Sequence, residues 1–227
     1  MADLTILYYS SNREHPKFEE RIKEKLLENC GDLPIISITH KPIDLGKNIC
    51  VGDVGVSGFN MFRQVQIGLK EVKTKFVLSA EADCVYPPDY FTFIPPRDDV
   101  CYRNTNLYVM GDHRNYWYRK KEGATHSQIV GRDFYLDVLN KLFAGAPEWS
   151  PKEKNFPKER HKRSDVFWPK EIEMYSTENP VFQIKTHRSM RYHTHSEREP
   201  IYELPYWGNG KDVRDYYMAE VEEKYSS

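Results

Sequence analysis

The 227-residue sequence has no apolar run near the ~20 residues a helix needs to cross a bilayer. No membrane helix is expected. Its four cysteines, Cys30, Cys50, Cys84 and Cys101, form no C-x-x-C pair and no dense framework. That pattern excludes a disulfide-stapled scaffold and predicts reduced thiols. A net charge of −1 excludes a global field that would draw the chain to nucleic acid or membrane. The opening "MADLTILYYSSNRE" lacks a basic n-region, and its apolar stretch is too short for a leader. No internal repeat or dividing linker is visible, so one domain over 1–227 is expected. Its expected location is the cytoplasm, or the host cytoplasm if the source is viral.

What is present is a modest core under a polar surface, with 39% hydrophobic residues and mean hydropathy −0.73. Aromatics reach 14%, sixteen of them tyrosine, which suits aromatic-lined clefts and half-buried strand faces alike. Charge is uneven. Lys152 to Lys170 carries seven Lys/Arg against three Asp/Glu, and Lys185 to Arg198 four against one, with three histidines. Such runs are either solvated loops or surfaces that meet phosphate.

The first half alternates between two periodicities. "LTILYYS", "LPIISITH" and "KFVLSAEAD" read as buried strands. Between them, "HPKFEERIKEKLLENCG" places Phe18, Ile22, Leu26 and Leu27 at helical spacing, with Pro16 near its start and Gly31 past its end. "GFNMFRQVQIGLKEVKT" does the same with Phe62, Val65, Ile67 and Leu69. Strand–helix alternation of this kind predicts an α/β sandwich with a parallel sheet. After Tyr90, "VCYRNTNLYVMG", "NYWYRK" and "HSQIVG" suggest short antiparallel strands, followed by the helix "GRDFYLDVLNKLF". A long Pro- and charge-rich loop, the strand "PVFQIKTH" and a C-terminal helix from Gly210 complete the chain.

In an open parallel sheet, ligands bind outside the carboxyl ends of the strands. Three segments should meet there: "YYSSNR", the glycine-rich "GDVGVSGFN" entering a helix whose N-terminus favours an anion, and "SAEAD". In the last, Glu81 and Asp83 are two apart and would face one way if extended. Unpaired, they would raise one another's pKa; a hard divalent cation shared with phosphate oxygens removes that cost. Surface pairing with lysines is the plainer alternative.

The stretch "FNMFRQVQIGLKEVKTKFVLSAEADCVYPPDYF" resembles the central segment of family-two-like GT-A glycosyltransferases, in the nucleotide-diphospho-sugar transferase superfamily. There an Arg-bearing helix, a strand and a D-x-D-like motif before proline follow one another. The resemblance spans roughly Leu4 to Leu142, with Glu in place of the first acid. It implies a three-layer nucleotide sandwich, Rossmann-like, with a mostly parallel central sheet and a small antiparallel acceptor-side extension. Residues 1–90 would bind the nucleotide sugar, and 91–227 the acceptor. It also implies Mn²⁺ or Mg²⁺ on Asp83 and Glu81, with a late histidine, His193 or His195, completing the shell. Ser10, Asn12 and Arg13 would line the nucleotide pocket, Arg63 would belong to the Arg-bearing helix on the donor side, and Arg188 and Arg191 would neutralise diphosphate charge.

An inverting transferase of this kind needs a carboxylate base, for which Asp165, Glu171 and Glu173 in "SDVFWPKEIEMY" are candidates. Trp117, His126 and Trp168 are the acceptor-side candidates. The basic loop within 150–170, with Phe156, Trp168 and nearby Trp149 for stacking, raises hydroxymethylated pyrimidines in DNA as the acceptor, as for some viral transferases of this general kind. A glycan, protein or small-molecule hydroxyl is the alternative. A nucleotidyltransferase should show a Gly-rich loop with Lys near the first strand, which "YYSSNREH" lacks. A non-catalytic carbohydrate- or nucleic-acid-binding module is the rival of a different class.

Overall fold

The structure, a computed structural model, describes residues 3–150, 171–190 and 195–221. The elements in chain order are β1 (Leu4–Ser10), α1 (Pro16–Asn29), β2 (Ile35–Thr39), β3 (Lys47–Cys50), α2 (Gly58–Glu71), β4 (Phe76–Glu81), β5 (Cys84–Val85), β6 (Cys101–Asn104), β7 (Leu107–Gly111), β8 (Tyr118–Arg119), β9 (Gln128–Gly131), α3 (Arg132–Phe143), β10 (Ile172–Tyr175), β11 (Val181–Lys185), β12 (Glu203–Leu204), β13 (Gly208–Asn209) and α4 (Gly210–Met218).

Seven strands form the central sheet in the order β10-β6-β9-β4-β1-β2-β3. All its pairs are parallel except the two that β9 makes with β4 and β6. Every residue of β1 is buried, as the continuous apolar run requires for a strand covered on both faces. The path runs outward from β1 through β2 to β3, then returns through α2 to β4 on the other side of β1. A crevice therefore opens outside the carboxyl ends of β1 and β4.

One face of the sheet is covered by α2 and α3, through Phe59, Phe62, Val65, Leu139 and Phe143. Gly68 lets α2 lie close: a β-carbon there would stand 2.3 Å from Leu7 Cδ1. The opposite face takes Leu26 of α1 and the Tyr86–Tyr90–Phe91 aromatic group. Leu27, expected on the buried side of α1, is 48% exposed, because the four buried positions Phe18, Ile22, Leu26 and Asn29 already define that face. Ile67 of α2 is only half-buried, and on α3 Tyr135 and Phe143 are buried alongside Leu139 and Leu142.

A second sheet, β5-β11-β7-β8, mixes parallel and antiparallel pairs. Phe18 and Ile22 of α1 pack against its Phe182 and Ile184, so α1 is shared by both sheets. The run "VCYRNTNLYVMG" is two strands, not one. Asn104 Oδ1 accepts from the Asn106 N–H at 3.0 Å, turning the chain from the central sheet into the second. β3 and β10 were not expected either. Both are edge strands with mixed polar and half-exposed residues, so neither carries a readable apolar pattern.

Candidate functional site

An open cleft of about 660 Å³, counting its mouth, lies at the carboxyl ends of β1 and β4 and the N-terminus of α2. Ser10 and Arg13 come to it from the loop after β1; Glu81 and Asp83 from the end of β4; Arg188 from the segment after β11. The sequence therefore folds its three expected segments onto one crevice.

Polar side chains fix this rim. Ser57 caps α2, accepting from the Asn60 N–H at 3.1 Å. Asn60 holds the glycine-rich loop by donating to the Val54 and Gly55 carbonyls at 2.7 and 2.9 Å. Gln64 donates to Ser10 O and Ile38 O, both at 3.0 Å, and so locks the ends of β1 and β2. Asn12 adopts the left-handed conformation at φ 49°. Its side chain donates to Glu19 at 3.0 Å and accepts from the Lys41 N–H at 2.9 Å. Asn12 thus shapes the loop that presents Arg13, and it is not itself one of the lining residues.

The acids are arranged differently from a simple i, i+2 pair. β4 ends at Glu81, and Asp83 lies in the turn beyond it. Glu81 accepts from Tyr9 Oη at 3.0 Å. Burial, then the neighbouring Asp83 charge, pushes its carboxyl up to about 7. Asp83 instead faces β11: Gln183 Nε2 stands 3.0 Å from both carboxylate oxygens, and Lys185 Nζ is 3.3 Å from Oδ2. Glu14, also lining the cleft, accepts from Thr186 Oγ1 at 2.6 Å, and burial lifts it to about 7.

His126 is buried, and its Nε2 has no hydrogen-bond partner among the described residues. Its backbone carbonyl accepts from Tyr86 Oη at 2.7 Å, and that same oxygen accepts from the Glu81 N–H at 3.0 Å. Glu81, Cys84 and His126 offer ligand atoms within 4.8 Å of one another. His126 was expected at the acceptor; the structure brings it behind the acids instead.

The remaining expected residues are dispersed. Arg63 donates to the carbonyls of Pro147 and Glu148 and to Gln66, and lies 3.8 Å over the Phe143 ring, tying α2 to the segment after α3 rather than facing the cleft. Trp117 is fully buried, edge-to-face with Phe182 in the core of the second sheet, and so is no acceptor platform. Glu171 and Glu173 sit at the start of edge strand β10, and Glu173 is 3.8 Å from Arg97. Register places Glu173 level with Leu78, below the strand ends, and β10 is three strands from β4, about 14 Å at ~4.8 Å per strand. His195 is exposed, 3.9 Å from Glu122, and does not line the cleft. Asp165, Trp168, Arg191 and His193 lie outside the described residues.

Sequence reasoning missed Lys185, Gln183 and Glu14. A signal existed for the first two: in "VFQIK" they alternate with Phe182 and Ile184, so two polar side chains share one face of a buried strand.

The donor set does not fit a bound Mn²⁺ or Mg²⁺. Asp83 is already engaged by three donors: Gln183 Nε2 shared between its two oxygens, Lys185 Nζ, and Cys84 Sγ at 3.3 Å. Glu81, Cys84 and His126 include soft donors better suited to zinc. Yet Lys120, Lys185 and Arg103 all bear electrostatically on His126, and burial with these cations holds its pKa well below the ordinary value.

This topology, with its crevice at the switch point, is that of the GT-A nucleotide-sandwich class, as the resemblance implied. No family model and no curated protein matches the sequence. Among solved structures, residues 1–349 of S. aureus TarS in complex with UDP-GlcNAc align with a TM-score of 0.51 at 10% identity, over 96% of this chain and 71% of that one. The glycosyltransferase GlyE of Streptococcus pneumoniae TIGR4 aligns at 0.47 and 9% identity, over 75% of this chain and 44% of that one. A glycosyltransferase involved in glycosylation of the PBCV-1 major capsid aligns at 0.45 and 13%, over 79% and 91%. The TarS likeness shows the fold.

Proposed function

We propose that the protein is a glycosyltransferase that moves a sugar from a nucleotide-diphosphate donor to a hydroxyl acceptor. The observation that carries this is the pairing of Arg13 and Arg188 on a cleft at the carboxyl ends of β1 and β4. In the transfer, the bond between the sugar's anomeric carbon and the diphosphate oxygen breaks, and the diphosphate leaves with the electron pair. The acceptor oxygen bonds to that carbon and yields its proton to a carboxylate. Two cations at the departing diphosphate stabilise charge that grows in the transition state. Of the sequence candidates for the base, Asp165 remains, since Glu171 and Glu173 sit below the strand ends.

For the acceptor, the basic run of residues 152–170 supports a hydroxyl carried on a polyanion, such as a hydroxymethylated pyrimidine in DNA, over one on an uncharged carrier.

The test is a panel of nucleotide sugars scored for nucleoside diphosphate release, with and without acceptors. Release from at least one donor is expected. Arg13→Ala and Arg188→Ala should each lower it about tenfold or more, or ~1.4 kcal/mol. A panel with neither turnover nor thermal shift would leave a non-catalytic binding module. Retention on DNA should fall steeply as salt rises; salt-insensitive or absent retention removes the DNA acceptor.

A further inference from the structure

Asp83 and Lys185 form a nearly dry ion pair, their side chains 13% and 14% exposed. Lys185 is reached only because β11 runs antiparallel to β5, which follows directly from the acid-bearing turn; the Ile184 N–H donates to Asp83 O at 2.9 Å. A second half-buried lysine, Lys120, just past the end of β8, lies within electrostatic reach of Glu81, Asp83 and Lys185. The acids that meet here are Glu14, Glu81 and Asp83, and the ammonium groups of Lys185 and Lys120 already supply most of the balancing charge that a dication would bring. Such an ion would also compete with Lys185 and Gln183 for Asp83.

We propose that Lys185, backed by Lys120, is the built-in counter-cation of the Glu81/Asp83 pair, and that this site binds a nucleoside diphosphate through Arg13 and Arg188 without a divalent metal ion. The inference rests on the donor reading above and deepens it: it states what balances the charge of that site. Lys185 acts through Asp83 and is a positioning residue. Removing its ammonium group would leave two acids facing one neighbour fewer, which is the condition under which carboxylates recruit a hard cation.

The experiment has two independent readouts on the purified full chain. The first is Mn²⁺ alone, titrated and followed by electron paramagnetic resonance. The second is calorimetric binding of UDP, GDP, CDP, ADP and dTDP, each in EDTA and in Mn²⁺. The wild type is expected to bind no stoichiometric Mn²⁺ at micromolar concentrations. At least one diphosphate should bind with affinity equal within about twofold in EDTA and Mn²⁺. Lys185→Met should lose tenfold or more of that affinity in EDTA and gain a Mn²⁺ site; Lys185→Arg should keep the wild-type pattern. Stoichiometric micromolar Mn²⁺ on the wild type, or diphosphate binding that collapses tenfold in EDTA, overturns the proposal. If no diphosphate binds under either condition, the donor reading fails and takes metal-free diphosphate binding with it. The Mn²⁺ titration then still decides the counter-cation role, and it needs no variant to fold.

Discussion

At the scale of single residues, the cleft is defined by groups that are neither fully solvated nor fully neutral. Glu14 and Glu81 are both raised from 4.5 to about 7, burial being the first cause in each. The sign for stability follows from proton binding. As pH rises above the unfolded value, the unfolded chain gives up these protons while the native state still holds them, so native stability falls between about 4.5 and about 7 and then levels. Thermal melts from pH 4.5 to 8 should show that decline, and Glu81→Gln should make it shallower, leaving the share due to Glu14. A decline of unchanged slope in the variant would assign the effect elsewhere. The same ionisation places negative charge on the cleft, so diphosphate affinity should weaken from pH 6 to pH 8.

At the scale of elements, the second half of "EADCVYPPDYF" is structural. Pro88 opens a short 3-10 turn, Pro88–Phe91, in which Tyr90 stacks on Tyr86 with ring centroids 4.8 Å apart. Asp89, in that turn, accepts from Glu178 N at 2.7 Å, Asn179 N at 3.1 Å and Asn179 Nδ2 at 3.1 Å. These bonds pin the segment that leads into β11, and with it Gln183 and Lys185. Asp89→Ala should cost about 3 kcal/mol, the scale of one to two charge-assisted hydrogen bonds. It should also weaken diphosphate binding although Asp89 does not line the cleft. Calorimetry on the folded variant checks this; unchanged affinity would mean that β11 holds its place without the anchor.

At the scale of the whole molecule, α1 couples the two sheets, since its Phe18 and Ile22 belong to the core of the second sheet while Leu26 packs under the first. Ile22→Ala should destabilise by about 2–5 kcal/mol, and unfolding should remain one transition seen alike by far-UV and aromatic signals. Two separated transitions would show that the sheets fold independently. No helix among the described residues is long and apolar enough to cross a bilayer.

The sequence by itself determined the strand–helix alternation through β4, because apolar period and length distinguish a doubly covered strand from a helix without help from distant contacts. It also determined that the loops after β1 and β4 and before α2 share one end of the sheet, which parallel topology forces. Edge strands β3 and β10 were illegible, since a half-solvated edge carries no apolar pattern. Tertiary structure alone decided which charges meet. Asp83 and Lys185 are far apart in sequence, and the turn beyond β4 sets them face to face where a one-residue change in β11 register would separate them. Likewise Trp117, an acceptor-side candidate in the sequence, is buried in the core of the second sheet, because burial is a property of the packed chain and not of the residue.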